Sequence, residues 1–232
     1  MASATEFFQQ NNYVVIRDFL SPELASYLYD YCSLTATAGK TKLQHGLQPS
    51  SISEGTFSDP QVPGTYSAYG DPAFDVLLET RRAVIEEISG HQLLPTYTFW
   101  RYYKHGDTLA RHIDRISAEI SATVCLGYNT GDFELEDDYR WGIWFQDKQG
   151  GEPKEMKLTP GSMIVYRGYD LLHWREQFEG LHHAQVFFHY VDRLGKFADL
   201  AQCDTRPHLG LPQELKDPRK TQAIDQLEAS VV

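Results

Sequence analysis

The chain has 232 residues, 41% hydrophobic and 23% charged, with a net charge of −11. That length supports one sizeable core, and the acid excess repels phosphate backbones and anionic bilayers, which argues against nucleic acid or a membrane surface as partner. Three cysteines, Cys32, Cys125 and Cys203, are odd in number and far apart, so neither a disulfide framework nor a Cys-x-x-Cys zinc site is indicated. The first residues lack a basic leader, and no stretch approaches the roughly twenty apolar residues of a membrane span, so a cytoplasmic protein is expected.

In chain order, β-branched residues 12–18 read as a short strand. Ser21-Pro22-Glu23 offers a cap, a first-turn proline and an acid, which predicts a helix to about Tyr31. Residues 35–71 are rich in Gly, Ser, Pro and Thr without a period and read as an irregular segment, a lid or a disordered loop. Phe74, Val76, Leu77, Leu78, Val84, Ile85 and Ile88, with charges between them, read as a helix over Pro72 to Ser89, closed by Gly90.

From Leu93 the pattern turns aromatic and β-rich, and strands follow at 96–103, around 112–114, 120–128, 141–146, 155–158, 162–167 and 184–191. Helices followed by many short strands imply an α+β fold with a sheet-on-sheet or barrel core. The acidic run from Asp132 to Asp138 reads as a solvated loop, and residues 213–232 as a mobile tail. One domain of 1–232 is expected, with N-terminal support over 1–90, a core at about 90–193 and a C-terminal extension over 194–232.

The chemistry centres on His112 and Asp114. Two apart on an extended strand, their side chains leave one face and reach one metal ion, and His173 offers a third ligand if its strand lies alongside. Two imidazoles and a carboxylate on one face, with the other face open, suit a non-haem Fe(II) oxygenase. With nine histidines in the chain a His-x-Asp pair alone is weak, so its context carries the reading. Arg111 and Arg115 alternate with the ligands and should point away from the metal, His189 reads as a sheet-face residue, and Trp174 reads as packing or as a wall of the substrate pocket.

That context resembles a known superfamily. Arg101 to Asp114 is similar to the approach to the metal in prolyl-hydroxylase-like Fe(II)/2-oxoglutarate dioxygenases, where a Tyr and a Gly precede the His-x-Asp. Thr159-Pro160-Gly161 to Tyr166, followed by Leu172-His173, resembles their Pro-Gly turn, apolar strand and distal His, and Phe7 to Leu28 resembles their N-terminal strand and helix. The resemblance implies a double-stranded β-helix (jelly roll) backed by the helix at 72–89. It further implies Fe(II) held by His112, Asp114 and His173, 2-oxoglutarate and O2 as co-substrates, and succinate and CO2 as co-products. Hydroxylation of an amino acid, a peptidyl residue or a small metabolite is the implied outcome. Asp114, where the superfamily's halogenases have a small residue, argues against halogenation.

One departure stands out. The Arg or Lys that family members place nine or ten residues after the distal His is replaced here by His182 and His183. The far carboxylate of 2-oxoglutarate would then fall to a protonated His183, or to Arg175 or Lys104, with a hydroxyl from Tyr102 or Tyr103 in support. Two other readings follow from the gap: a jelly-roll binding protein holding Zn(II), or an oxygenase of a different 2-oxo acid.

Overall fold

A computed structural model describes residues 3–49 and 51–230. The chain enters through helix α1 (Ala4–Asn11), whose start is fixed by a capping box between Ser3 and Glu6, and passes to strand β1 (Tyr13–Ile16). Helix α2 spans Pro22–Gln44, with Ser21 as the expected cap. It runs well past Tyr31, which corrects the reading of residues 35–44 as irregular, while 45–49 and 51–65 hold only one short 3-10 turn, as read. Cys32 and Ala36 continue its buried face, and Gly39 sits mid-helix because the Tyr66 ring lies where a Cβ would be. The glycine marks a close approach, not a helix end.

A strap over 51–65 follows, then strand β2 (Tyr66–Tyr69). The helix read over 72–89 is two, α3 (Pro72–Thr80) and α4 (Arg82–Ser89), interrupted at Arg81 and closed by Gly90 in the left-handed conformation. The remaining strands are β3 (Leu93–Lys104), β4 (Leu109–His112), β5 (Ile120–Asn129), β6 (Gly142–Asp147), β7 (Lys154–Lys157), β8 (Met163–Tyr166), β9 (Leu171–Arg175) and β10 (His182–Asp192). They form a six-stranded sheet ordered β1-β8-β5-β10-β3-β2 and a four-stranded sheet ordered β4-β9-β6-β7, with every pairing antiparallel. From β3 onward the chain crosses repeatedly between the two sheets, with only the β6–β7 hairpin staying in one, which is the jelly roll expected.

The larger sheet is buried on both faces. Trp100, Val124, Val165, Val186 and Phe188 pack outward against α2, α3 and α4, in one core with Phe74, Leu78 and Ile85. Alternate residues face the smaller sheet. The loop at 132–138 keeps its acids exposed, as read.

The C-terminal stretch corrects the expectation of a tail. Helices α5 (Ala198–Ala201) and α6 (Pro218–Ala229) lie beyond β10, with Asp217 capping α6 by accepting from the Arg219 and Lys220 amides. Ile224 is the apolar anchor of α6, fully buried beside Ile116, Val191 and Phe197. Polar ties complete the docking, since Glu228 Oε1 accepts from the Ile116 amide at 3.0 Å and Lys220 donates to Asp199 O at 3.0 Å.

Candidate metal and co-substrate site

The two histidines meet because β4 pairs with β9 in a register that sets His112 opposite His173. Their rings lie 4.3 Å apart, and Asp114 Oδ1 sits 3.7 Å from His112 Nε2 and 3.4 Å from His173 Nε2. The three ligand atoms fall within 4.8 Å of one another. Each imidazole is oriented the same way: Nδ1 faces a backbone carbonyl, Ala110 O at 2.8 Å for His112 and Leu171 O at 3.0 Å for His173. Nδ1–H therefore donates to that carbonyl, and the Nε2 lone pair is left for a cation.

Asp114 lies two residues past the end of β4, so its direction is not set by strand alternation. Its amide donates to Gly168 O at 2.9 Å, and its Oδ2 accepts from Ser121 Oγ at 2.8 Å. Ser121 Oγ in turn lies 3.0 Å from buried His189 Nδ1. A relay from His189 through Ser121 thus holds one carboxylate oxygen and turns the other to the histidines. Gly168 is part of the cradle: a Cβ there would fall against Asp114 Oδ2, and within 2.6 Å of Ala118 O.

Burial would raise the Asp114 carboxyl, but the charge and hydrogen bond of His173 outweigh it and hold the group well below the usual carboxylate range. His112 is pushed down, by burial first and then by His173. With each Nδ1 turned to a backbone carbonyl, the site presents two imidazole Nε2 atoms and a carboxylate, a donor set that fits a divalent cation.

A cavity of about 320 Å3 opens on this face, walled by Arg101, Tyr166, Phe187 and His189 from the larger sheet, by Ile52, Asp59 and Gln61 from the strap, and by Arg115 and Lys216. Arg101 is buried, donating to Asp59 Oδ2 at 2.7 Å and Gln61 Oε1 at 2.5 Å, so it pins the strap to the barrel.

Of the residues considered for 2-oxoglutarate, Tyr102 faces the wrong way. Its hydroxyl donates to Ser33 in α2 at 3.0 Å and its ring stacks on His182, both on the helical side of the sheet. Tyr103, one residue on, is buried between the sheets with His183, both packed on the Trp141 ring at 4.9 Å and 5.3 Å. His183 is no cation: burial, then the Arg175 charge, push it down to about 3, which corrects the idea of a protonated histidine as anchor.

Lys104 is spent on Asp107 and Thr65 at 2.6 Å and 3.0 Å. Arg175 is buried, and its Nη1 donates to the Trp141 and Gly142 carbonyls at 3.0 Å and 3.3 Å. Its Nε has no partner, no carboxylate among the described residues pairs with it, and the Nδ1 of His183 is likewise unpaired.

Trp174 lies on the outer face of the smaller sheet, stacked on Trp144 at 6.1 Å with Arg111 above it, and does not wall the cavity. Arg111 points away from the triad as expected, whereas Arg115 lines the cavity. Ser121, Gly168 and Lys216, missed by sequence reading, carry no motif, and Arg101 and Arg115, read only as flanks of the metal motif, are brought to the cavity by the fold.

No family model matches the sequence, and no curated protein matches it. Solved structures do resemble the fold. A prolyl-4-hydroxylase from Pseudomonas putida superposes with a TM-score of 0.57 at 13% identity, over 82% of this chain and 97% of that one. A prolyl hydroxylase from Trichoplax adhaerens, in complex with a hypoxia-inducible-factor peptide, gives 0.54 at 15%, over 85% and 90%. HygX from Streptomyces hygroscopicus, with nickel and 2-oxoglutarate bound, gives 0.53 at 12%, over 81% and 85%. The fold is the one these oxygenases share, as the sequence resemblance implied. No helix among the described residues is long and apolar enough to cross a membrane.

Proposed function

We propose that the protein is an Fe(II)- and 2-oxoglutarate-dependent oxygenase that hydroxylates a C–H bond of an amino acid, a peptidyl residue or a small metabolite, with succinate and CO2 as co-products. The observation that supports this most is the convergence of His112, Asp114 and His173 on one point, at the edge of a cavity, within the fold of such enzymes. Bound Fe(II), 2-oxoglutarate and O2 supply the oxidising chemistry. The protein's part is to hold and shield. The carbonyl-bound Nδ1 atoms fix both imidazoles, Ser121 and His189 fix Asp114, and the strap over 51–65 walls the cavity from solvent.

For the far carboxylate of 2-oxoglutarate we assign Arg175, with Tyr103 and His183 beside it. Arg175 stands two residues beyond His173 on the same strand and face, a step of about 6.7 Å, which is the scale of a five-carbon diacid. The cavity already reaches Leu109, the β-partner of Arg175. A buried guanidinium with an unused Nε and no carboxylate nearby is costly unless an anion arrives.

The test is turnover: CO2 release from carboxyl-labelled 2-oxoglutarate, dependent on Fe(II) and lost in His112→Ala. Bound metal without turnover of any 2-oxo acid would instead favour a zinc-holding binding protein, because such N/O sites take zinc readily.

A further inference from the structure

Arg115 follows Asp114 directly and, because β4 has already ended, turns its side chain along the cavity wall beside the triad. Its guanidinium is held loosely. Asp204 Oδ1 and Glu228 Oε1 form ion pairs with it, each at 3.6 Å, but it donates no hydrogen bond to any described residue. Glu228 Oε1 also accepts from the Ile116 amide, and Asp204 Oδ2 accepts from Lys216 Nζ at 2.5 Å and from the Tyr69 hydroxyl at 2.6 Å, while Asp204 Oδ1 faces Arg115 without a hydrogen bond.

Asp204 is itself buried, in a run of three left-handed non-glycine residues, Cys203, Asp204 and Thr205, with φ of 51°, 50° and 66°. Backbone of this kind persists only where surrounding contacts fix it, and it concentrates at ligand sites. Asp204 acts as a counter-charge behind the wall. It aims Arg115 and Lys216 at the cavity and leaves the Arg115 donors unused. The other carboxylate on this wall, Asp59, is taken by Arg101.

We infer that the substrate is a small free carboxylic acid, whose carboxylate binds the Arg115 guanidinium beside the metal triad, Lys216 being held by Asp204 behind it. A planar guanidinium with unspent donors is the complement of a carboxylate. A group held there lies one side chain from the metal, so the C–H bond to be attacked is a few bonds from the acid. The size follows from the cavity, about 320 Å3 and shared with the co-substrate. The C-terminal extension acquires a role, since Lys216, Asp204 and Glu228 all come from it.

This inference rests on the oxygenase reading, and one experiment separates the two. The full-length protein is loaded anaerobically with Fe(II) and 2-oxoglutarate, and the visible charge-transfer band of the chelate is recorded. The protein amino acids and C3–C6 hydroxy acids are then added, each as the free acid and as its primary amide. Absence of the band itself sinks the oxygenase reading.

With the band present, at least one free acid should perturb it while its amide does not. Arg115→Met should weaken that acid by about 10- to 100-fold, the range for a hydrogen bond to a charged group, and Arg115→Lys should lose less. The band serves as the fold check for each variant. If no free acid acts, if amides act equally well, if only a peptide acts, or if Arg115→Met binds the acid unchanged, the inference is overturned.

Discussion

Gly168→Ala isolates the cradle of the metal ligand in a single methyl group. The glycine has ordinary backbone angles, so the change acts through packing alone. The new Cβ would stand 2.6 Å from Ala118 O and 2.5 Å from Ser121 Oγ, and closer still to Asp114 Oδ2, whereas ordinary contacts begin at 3.4 Å. Ala118 O is backbone in a fully buried turn and cannot retreat by the required 0.8 Å (3.4 − 2.6). The displacement therefore passes to Asp114 and Ser121.

Overpacking of this kind costs about 1–3 kcal/mol, and for a chain of this size each kcal/mol lowers Tm by about 2–4 °C. Disturbing a group that orients a ligand costs about 10- to 100-fold in metal affinity. Differential scanning fluorimetry of metal-free protein reads the first, and competitive titration with Co(II) the second. Gly106→Ala is the control: its Cβ would meet nothing within 4 Å, though its φ of +84° makes it strained, so it should lower Tm without changing metal affinity. A Gly168→Ala protein with unchanged Co(II) affinity would refute the assignment of Asp114 as a ligand held by this cradle.

Other consequences are equally direct. Asp59→Ala leaves Arg101 buried without its carboxylate, which should cost about 3–5 kcal/mol in urea denaturation and speed protease cleavage within 51–65; unchanged cleavage would mean that the pair does not pin the strap. Arg175→Met should weaken 2-oxoglutarate binding many-fold by calorimetry while Co(II) binding persists, and undiminished binding would move the anchor elsewhere. Acidification should destabilise the metal-free protein through His183. The unfolded chain gains a proton below about pH 6.5 that the folded imidazole refuses until about 3, so stability is full above 6.5 and falls with pH. The His183 share of the slope is at most about 1.4 kcal/mol per pH unit and should be lost in His183→Asn, while buried His189, pushed down to about 4, keeps its own share; an unaltered slope would show that His183 carries none of it.

The triad and the jelly roll were legible because His-x-Asp, the Pro160-Gly161 turn and His173 each have a sequence form tied to one geometry. Facing was legible only where a strand has one polar face. β3 is buried on both, so Tyr102 and Tyr103 looked equivalent, and a one-residue shift in parity decides which of them lies between the sheets. Strict alternation also failed at Arg115, because β4 stops at His112.

The C-terminal helices escaped notice for a different reason. Their docking rests on Ile224 and on polar ties such as Glu228 to Ile116, which leave little hydrophobic period, although Asp217-Pro218 repeats the cap-and-proline start of Ser21-Pro22. Arg175 was named from its place beside His173, but its lack of a carboxylate partner is a property of the folded interior alone.

The most direct test is an anaerobic titration of metal-free protein with Fe(II) and then 2-oxoglutarate, followed in the visible range, in the wild type, His112→Ala and Arg175→Met. The expected result is a charge-transfer band that saturates in the wild type, is absent in His112→Ala, and in Arg175→Met needs far more 2-oxoglutarate. Fe(II) bound in the wild type with no band at any 2-oxoglutarate concentration would contradict the central claim.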